Sequence, residues 1–160
     1  MEERMIVSVK KTIITVFLFS FIPAVFSYAG GNRAADDATF SEVQDKFWKL
    51  TEVKNGSTVI NIDRTNIMRD FYTAKFQAGL LIGAGADNAY FASYTTGEYN
   101  ALSIGMISSS RVVPLYEIKN FTEYQYFMCL EKVNYWDLRD GKLELYTYDR
   151  NGDRIILIFF

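Results

Sequence analysis

The side chains able to do chemistry in this chain are few, and their spacing suits chemistry poorly. There is no histidine among the 160 residues and only one cysteine, Cys129. That excludes Ser-His-Asp and Cys-His catalysis, histidine-containing zinc sites, histidine pH switching and a cysteine-only metal site within one chain. Any enzyme here would have to work with carboxylates, lysine, tyrosine or serine. Gly83-x-Gly85 opens like a nucleotide loop, but a third glycine is missing and no Gly-Lys-Ser/Thr follows. A glycine bulge or a close backbone approach inside a sheet accounts for it better. Asp149-x-Asn151-x-Asp153 matches the opening ligands of an EF-hand loop and then fails, with Arg154 where the loop needs glycine and Phe160 where it needs glutamate. A hairpin turn is the simpler reading. Ser108-Ser109-Ser110-Arg111 offers hydroxyls and a cation with no base in evidence, and fits a strand exit. Asn55-Gly56-Ser57 and Asn120-Phe121-Thr122 fit the glycosylation sequon, a pattern so short that chance matches carry no weight. Cys129, between Met128 and Leu130, reads as a small buried apolar residue. No catalytic residue, metal site or cofactor is expected.

Aromatic residues are the remaining unusual feature, with 11 Tyr, 13 Phe and 2 Trp. Most are expected to fill a core. Ligand sites, however, mix apolar walls with a few hydroxyls, and Tyr90, Tyr94, Tyr116 and Tyr124 are the candidates for lining a site for a hydrophobic ligand. A carboxylate enzyme would need two acidic groups facing each other in a cleft, whereas the acidic residues fall mostly in turns or on alternating outer faces.

The elements that must position these residues begin after a leader. Lys10 and Lys11 precede an apolar run from Thr12 to Phe26 with only Pro23 inside it, and Ser27-Tyr28-Ala29 then places small residues at alternate positions. This is the order of a secretory signal peptide, residues 1–29, with cleavage after Ala29 and a periplasmic or secreted product. Inner-membrane anchoring through an uncleaved segment is the alternative, although the run is shorter than the roughly 20 residues a spanning helix needs. No cysteine stands near the cleavage point for lipid attachment. The formal charge is −2 overall and becomes −3 without residues 1–29. No basic cluster survives, which argues against nucleic-acid binding. A lone cysteine in an oxidising compartment forms no internal disulfide, so packing alone must hold the fold; with 49% apolar residues the chain has the surface to do so.

Residues 30–39 read as a short polar linker and 40–160 as one domain. The pattern is strand-like from Phe40, with Trp48, Leu50 and Glu52 on one face and Phe47 on the other. Asn55-Gly56 signals a type I′ hairpin before a strand from Thr58 to Ile62. Further strands are expected over Phe71 to Phe76, Leu80 to Ile82, Tyr90 to Tyr94 and Ala101 to Ile107. Leu115, Ile118, Phe121, Phe127, Leu130 and Val133 form an apolar helical stripe, with Asn120 as cap and Glu123 closing a capping box. Three short strands over Val133 to Leu138, Leu143 to Tyr148 and Ile155 to Phe160 then form a meander. The fold class expected is α+β, mainly β: an antiparallel meander or incomplete barrel curled around one helix.

Several of these segments resemble the META/HslJ family in order and spacing. Gly83 to Tyr94 follows the family's glycine-rich approach to an Asn (Asn88), then an aromatic, a small residue and Tyr. Leu102-Ser103-Ile104-Gly105-Met106-Ile107 resembles its L-x-I-G-x-I strand, and Trp48-Lys49-Leu50 its W-x-L first strand. Glu123 to Leu130 resembles the E-x-x-F-x-x-x-L helix, with Phe127 out of step or Tyr126 in its place, and Trp136-Asp137-Leu138 and Leu143-Glu144-Leu145 resemble the closing strands. The resemblance covers about Phe40 to Phe160. It implies an exported, mainly antiparallel β-structure around one helix, associated with envelope stress or surface functions, and no catalytic residues. The family often carries Cys immediately before the Asn and again at the end of the Ser/Thr segment, where this chain has Asp87 and Pro114. Any redox role built on those thiols is absent here. The function expected is non-enzymatic binding or structural support in the bacterial envelope, through an unidentified envelope protein. A carrier or pilot-like module holding a lipid or other hydrophobic ligand in the barrel opening is the alternative. A side-chain-filled interior favours the first and a continuous apolar cavity the second.

Overall fold

Apolar residues alternate along most of the chain beyond residue 47, and strands form there. The computed structural model describes residues 39–62, 70–113, 118 and 120–160. The leader, all of the linker but Thr39, and residues 114–117 at the start of the helical stripe lie outside these. After a 3-10 turn at Phe40–Glu42 come β1 (Trp48–Asn55), β2 (Thr58–Asn61), β3 (Thr73–Gln77), β4 (Leu80–Ala84), β5 (Ala89–Thr96), β6 (Leu102–Ile104), β7 (Ser108–Ser109), α1 (Glu123–Glu131), β8 (Tyr135–Arg139), β9 (Lys142–Tyr148) and β10 (Arg154–Phe159). All pairings are antiparallel, and the order is β6-β5-β4-β3-β1-β10-β9-β8, with β2 added to β1 and β7 to β5.

The two ends of this order meet. Ala101 bridges to Tyr135, the Leu102 amide donates to Asn134 O (3.2 Å), and the Trp136 amide donates to Asn100 O (3.0 Å). The sheet is thereby a nearly closed barrel with one short helix, which removes the open edges that an unclosed meander would expose. The last strand, β10, is paired on both sides, between β1 and β9.

Three local differences from the sequence reading have physical causes. Phe40 opens a 3-10 turn rather than a strand, because the Glu42 carboxylate reaches back to the Thr39 amide (3.3 Å). Along β1 the register shifts between Leu50 and Glu52 opposite β10, a bulge that turns Val53 rather than Glu52 toward the core occupied by Trp48 and Leu50. The hairpin after it has Gly56 and Ser57 as its loop, with Asn55 still paired to Thr58. Positive φ falls on Gly56 (57°), the first loop position, where a type II′ turn requires glycine.

The tight type I′ geometry instead occurs at two other hairpins. Ala78-Gly79, between β3 and β4, has φ of 47° and 79°, and Asp140-Gly141, between β8 and β9, has 51° and 73°. Alanine in the left-handed region costs about 1 kcal/mol that asparagine largely avoids. Ala78→Asn should therefore stabilise the protein by roughly 0.5–1 kcal/mol, read as a higher urea midpoint with an unchanged slope.

Side chains fill the barrel. Tyr72, Phe76, Leu50, Leu81, Tyr126, Leu145, Leu157 and Phe159 are all fully buried. Phe40 packs edge-on against Phe76 (5.2 Å between centroids) and Trp136 (5.1 Å). Ring pairs of this kind add to simple area burial.

Candidate functional site

The family-like glycine block leads into a densely bonded polar cluster. Thr73 begins β3, and its carbonyl accepts from the Tyr90 hydroxyl (2.8 Å) and from the Tyr126 hydroxyl (3.0 Å), which lie 3.2 Å from each other. The Thr73 hydroxyl accepts from the Ala84 amide (3.0 Å). Burial pushes the Tyr90 phenol well above its ordinary value, the bond with Tyr126 opposing the shift only in part; it stays a neutral donor. Gly83 crosses directly over this carbonyl, and a Cβ there would lie 2.0 Å from Thr73 O. The glycine block is thus a close backbone approach, as its sequence suggests.

Beyond Ala84 the chain leaves the sheet for one turn. The Gly85 amide donates to Asn88 O (2.8 Å), and Gly85 O accepts from the Tyr72 amide (2.9 Å). Glu123, the first residue of α1, lies against this turn. Its Oε1 accepts from the backbone amides of Asp87 (3.2 Å) and Asn88 (3.0 Å), and its Oε2 from Asn88 Nδ2 (2.6 Å). All three of these bonds are given to the carboxyl by donors. Asn88 Nδ2 also donates to Val112 O (2.9 Å), while Oδ1 accepts from the Val112 amide (2.7 Å) and the Ser110 hydroxyl (2.9 Å). The full capacity of this amide is used. Asn88 and Glu123 are both buried. Together they fasten three segments that are remote in sequence: the 85–88 turn, the strand exit after β7, and the start of α1.

Helix capping falls elsewhere than the sequence suggests. The cap is Thr122, whose hydroxyl accepts from the Gln125 amide (3.2 Å), while Gln125 Oε1 accepts from the Thr122 amide (2.7 Å). Asn120 takes a positive φ of 69° just before the helix. Glu123 is released for its bonds to the turn, a role that capping logic conceals. Tyr126, not Phe127, holds the inner helical position, fully buried, so Glu123-x-x-Tyr126-x-x-x-Leu130 keeps the family spacing.

The three candidate tyrosines among the described residues do not form one site. Tyr90 and Tyr94 are buried in the barrel interior, Tyr94 accepting from Gln44 Nε2 (2.8 Å). Tyr124 is 66% exposed on α1, and Tyr116 lies outside the described residues. Tyr124 instead borders a groove of about 750 Å³ between α1 and the inward-facing Val53, Ile60 and Ile155, which reaches the β9–β10 turn. That turn is the Asp149-x-Asn151-x-Asp153 segment, where Asp149 Oδ1 accepts from the amides of Asn151 (2.8 Å) and Asp153 (2.9 Å). Among the described residues no group of three or more His, Cys, Asp or Glu side chains could hold a metal.

One pair of carboxylates does face each other. Asp137 and Glu144 are cross-strand partners on β8 and β9, on the face opposite the buried Leu143 and Leu145. Each is engaged: Arg139 Nε donates to Asp137, and the Tyr146 hydroxyl donates to Glu144. Burial and then Glu144 push the Tyr146 phenol upward, so the tyrosine stays a donor. Opposed like charges destabilise a ladder, and these two contacts offset that cost.

Cys129 is buried beside Leu130. Burial pushes its thiol up to about 11, Lys132 opposing the shift. Alkylation by iodoacetamide at pH 8 should be at least about tenfold slower in the folded protein than in urea, because the thiolate is the reacting form. A raised folded value also means that this group's contribution to stability is intact below its ordinary value of 9.0 and is lost as pH rises toward 11.

Comparison with known proteins bears on the fold. No curated protein matches the chain. Among solved structures, the NMR structure of a protein from Burkholderia xenovorans matches with a TM-score of 0.56 at 17% identity, over 83% of this chain and 97% of that one. The META domain model matches residues 41–158, well over half of the chain, and the protein belongs to the META domain family.

Proposed function

We propose that this is an exported META-domain protein of the bacterial envelope that works by binding through its outer surface, without catalysis. One observation carries the reading: the barrel interior is filled by side chains, and the polar cluster at its glycine block spends its hydrogen-bonding capacity on the protein itself. Among the described residues no reacting group of that cluster is left facing a cleft, and side chains fill the interior apart from the groove beside α1, which weighs against carriage deep inside the barrel. Export rests on the residue 1–29 leader pattern.

Native mass spectrometry of the protein purified from its own envelope tests this. A retained partner of fixed stoichiometry, on a chain beginning at Gly30, is the expected result. A lipid retained by the native chain and lost when the groove beside α1 is filled would place the ligand in the barrel opening and overturn the reading. A chain beginning at residue 1 would overturn cleavage after Ala29 and favour anchoring through the uncleaved segment.

A further inference from the structure

Strand β2 leaves one side of its backbone open. Asn55 and Thr58 close the hairpin loop, and Val53 faces Ile60 two positions further on; alternation makes these the hydrogen-bonded pairs of the β1–β2 ladder. The Ile62 amide continues the pattern by donating to Thr51 O (2.9 Å). The amides and carbonyls of Val59 and Asn61 therefore point away from β1, toward the side on which β2 pairs with no other strand. Among the described residues these groups have no hydrogen-bond partner.

Other outward amides of the sheet are covered. That of Leu138 on β8 donates to Asp137 Oδ1 (2.8 Å), and that of Ile107, just before β7, donates to Glu131 Oε1 (2.8 Å). Strand β2 lacks the usual guards of an edge: Thr58–Asn61 holds no charge and no proline, and its register with β1 runs without a bulge. Thr58, Val59 and Asn61 are all exposed. The nearest charges, Lys54 and Glu52 behind it on β1, pair with each other (3.9 Å). What the edge offers is two sets of backbone donor and acceptor about 7 Å apart, a spacing that an extended chain matches.

We propose that β2 is the docking edge for an extended, uncharged segment of a partner polypeptide, which adds to the sheet as a further strand through the backbone groups of Val59 and Asn61. Backbone pairing supplies the affinity, and the neutral side chains of Val59 and Ile60 favour apolar or hydroxyl-bearing residues opposite them. The inference rests on the surface-binding reading and says where the partner attaches. A partner retained from the envelope as well by Val59→Pro as by the native chain would sink the edge and leave that reading standing, so the two fail separately.

The test is amide hydrogen exchange of the full chain, alone and with a blocked synthetic peptide that alternates valine and threonine between terminal lysines. Alone, the Val59 and Asn61 amides should exchange at least about tenfold faster than those of Ile60 and Ile62. With the peptide at millimolar concentration they should slow at least about threefold while Thr58 and Ile60 stay unchanged. Val59→Pro removes the outward donor and no bond to β1, so the variant should fold by circular dichroism and keep Ile60 protected. It should nonetheless bind the peptide at least about fivefold more weakly, the equivalent of one backbone hydrogen bond, whereas Val59→Thr, which keeps the amide, should bind as the native chain does. Protection of Val59 and Asn61 in the isolated chain at every concentration would mean that the chain covers its own edge, and protection that grows with protein concentration would give the edge to a second copy. Either result overturns the proposal, as does a peptide that fails to bind or that binds Val59→Pro as tightly as the native chain.

Discussion

Glu123→Ala is expected to cost about 3 kcal/mol or more, because charge-assisted hydrogen bonds contribute roughly 1.5–3 kcal/mol each and orphaned buried donors cost about 1–3. Three donors lose their acceptor at once: the amides of Asp87 and Asn88, and Asn88 Nδ2. Water entering the vacated space offsets part of this, which is why the sum of three bonds is not the expectation. The melting temperature should fall by about 10 °C at roughly 2–4 °C per kcal/mol for a chain of this size.

Isosteric variants separate a specific network from simple packing. Glu123→Gln keeps an acceptor for the two backbone amides but turns an NH2 toward Asn88 Nδ2, donor against donor. Asn88→Asp sets a second carboxylate against the first and removes the donor to Val112 O. The double variant restores one complementary pair, Gln Nε2 donating to the new carboxylate, and leaves only Val112 O without its donor. The double-mutant cycle should therefore show a favourable coupling of about 1 kcal/mol or more, measured by urea denaturation. Strict additivity would mean that Asn88 and Glu123 do not act as one fastening.

Much of this architecture is legible in the sequence because the relevant signals are local. Alternation in Leu143 to Tyr148 and the Asp140-Gly141 turn specify the β8–β9 hairpin with no reference to the rest of the chain. Asn88 sits in a block whose glycines announce irregular backbone, so its role in securing that backbone can be anticipated. The acceptor that completes the network cannot. Glu123 is 35 residues away from Asn88, at the start of a helix, where any acidic residue is favoured by the helix dipole and needs no further explanation.

Features set by long-range geometry are hidden in the same way. The bulge that exchanges Glu52 for Val53 is a property of β1 against β10, residues more than a hundred positions apart. Barrel closure rests on Ala101 and Tyr135, which carry no signal of their own. The groove beside α1 likewise joins that helix to β1, β2 and the β9–β10 turn, and periodicity within one segment says nothing about the space between two.

Gly83→Ala should be about as damaging, for the opposite reason: the added methyl has nowhere to go. Its Cβ would meet Thr73 O at 2.0 Å and Tyr90 Cε1 at 2.9 Å. The ring could yield, but the carbonyl belongs to the β3 backbone and is itself held by two buried hydroxyls, Tyr90 and Tyr126. Relieving the clash means shifting β3 from β4 and loosening both of those bonds. Overpacking of about 1–3 kcal/mol and weakened buried hydrogen bonds of about 1 kcal/mol each together give roughly 4 kcal/mol, a large part of the 5–15 kcal/mol typical of a domain. Gly141→Ala is the matched control, since its Cβ meets nothing within 4 Å and only its φ of 73° is strained; about 1 kcal/mol is expected there. Replacing the yielding partner tells which contact decides. Tyr90→Leu combined with Gly83→Ala should leave the glycine penalty nearly intact, because the carbonyl wall remains. Recovery of most of the lost stability in that double variant would identify the tyrosine ring as the true obstacle, and would leave Thr73 O as a tolerant neighbour.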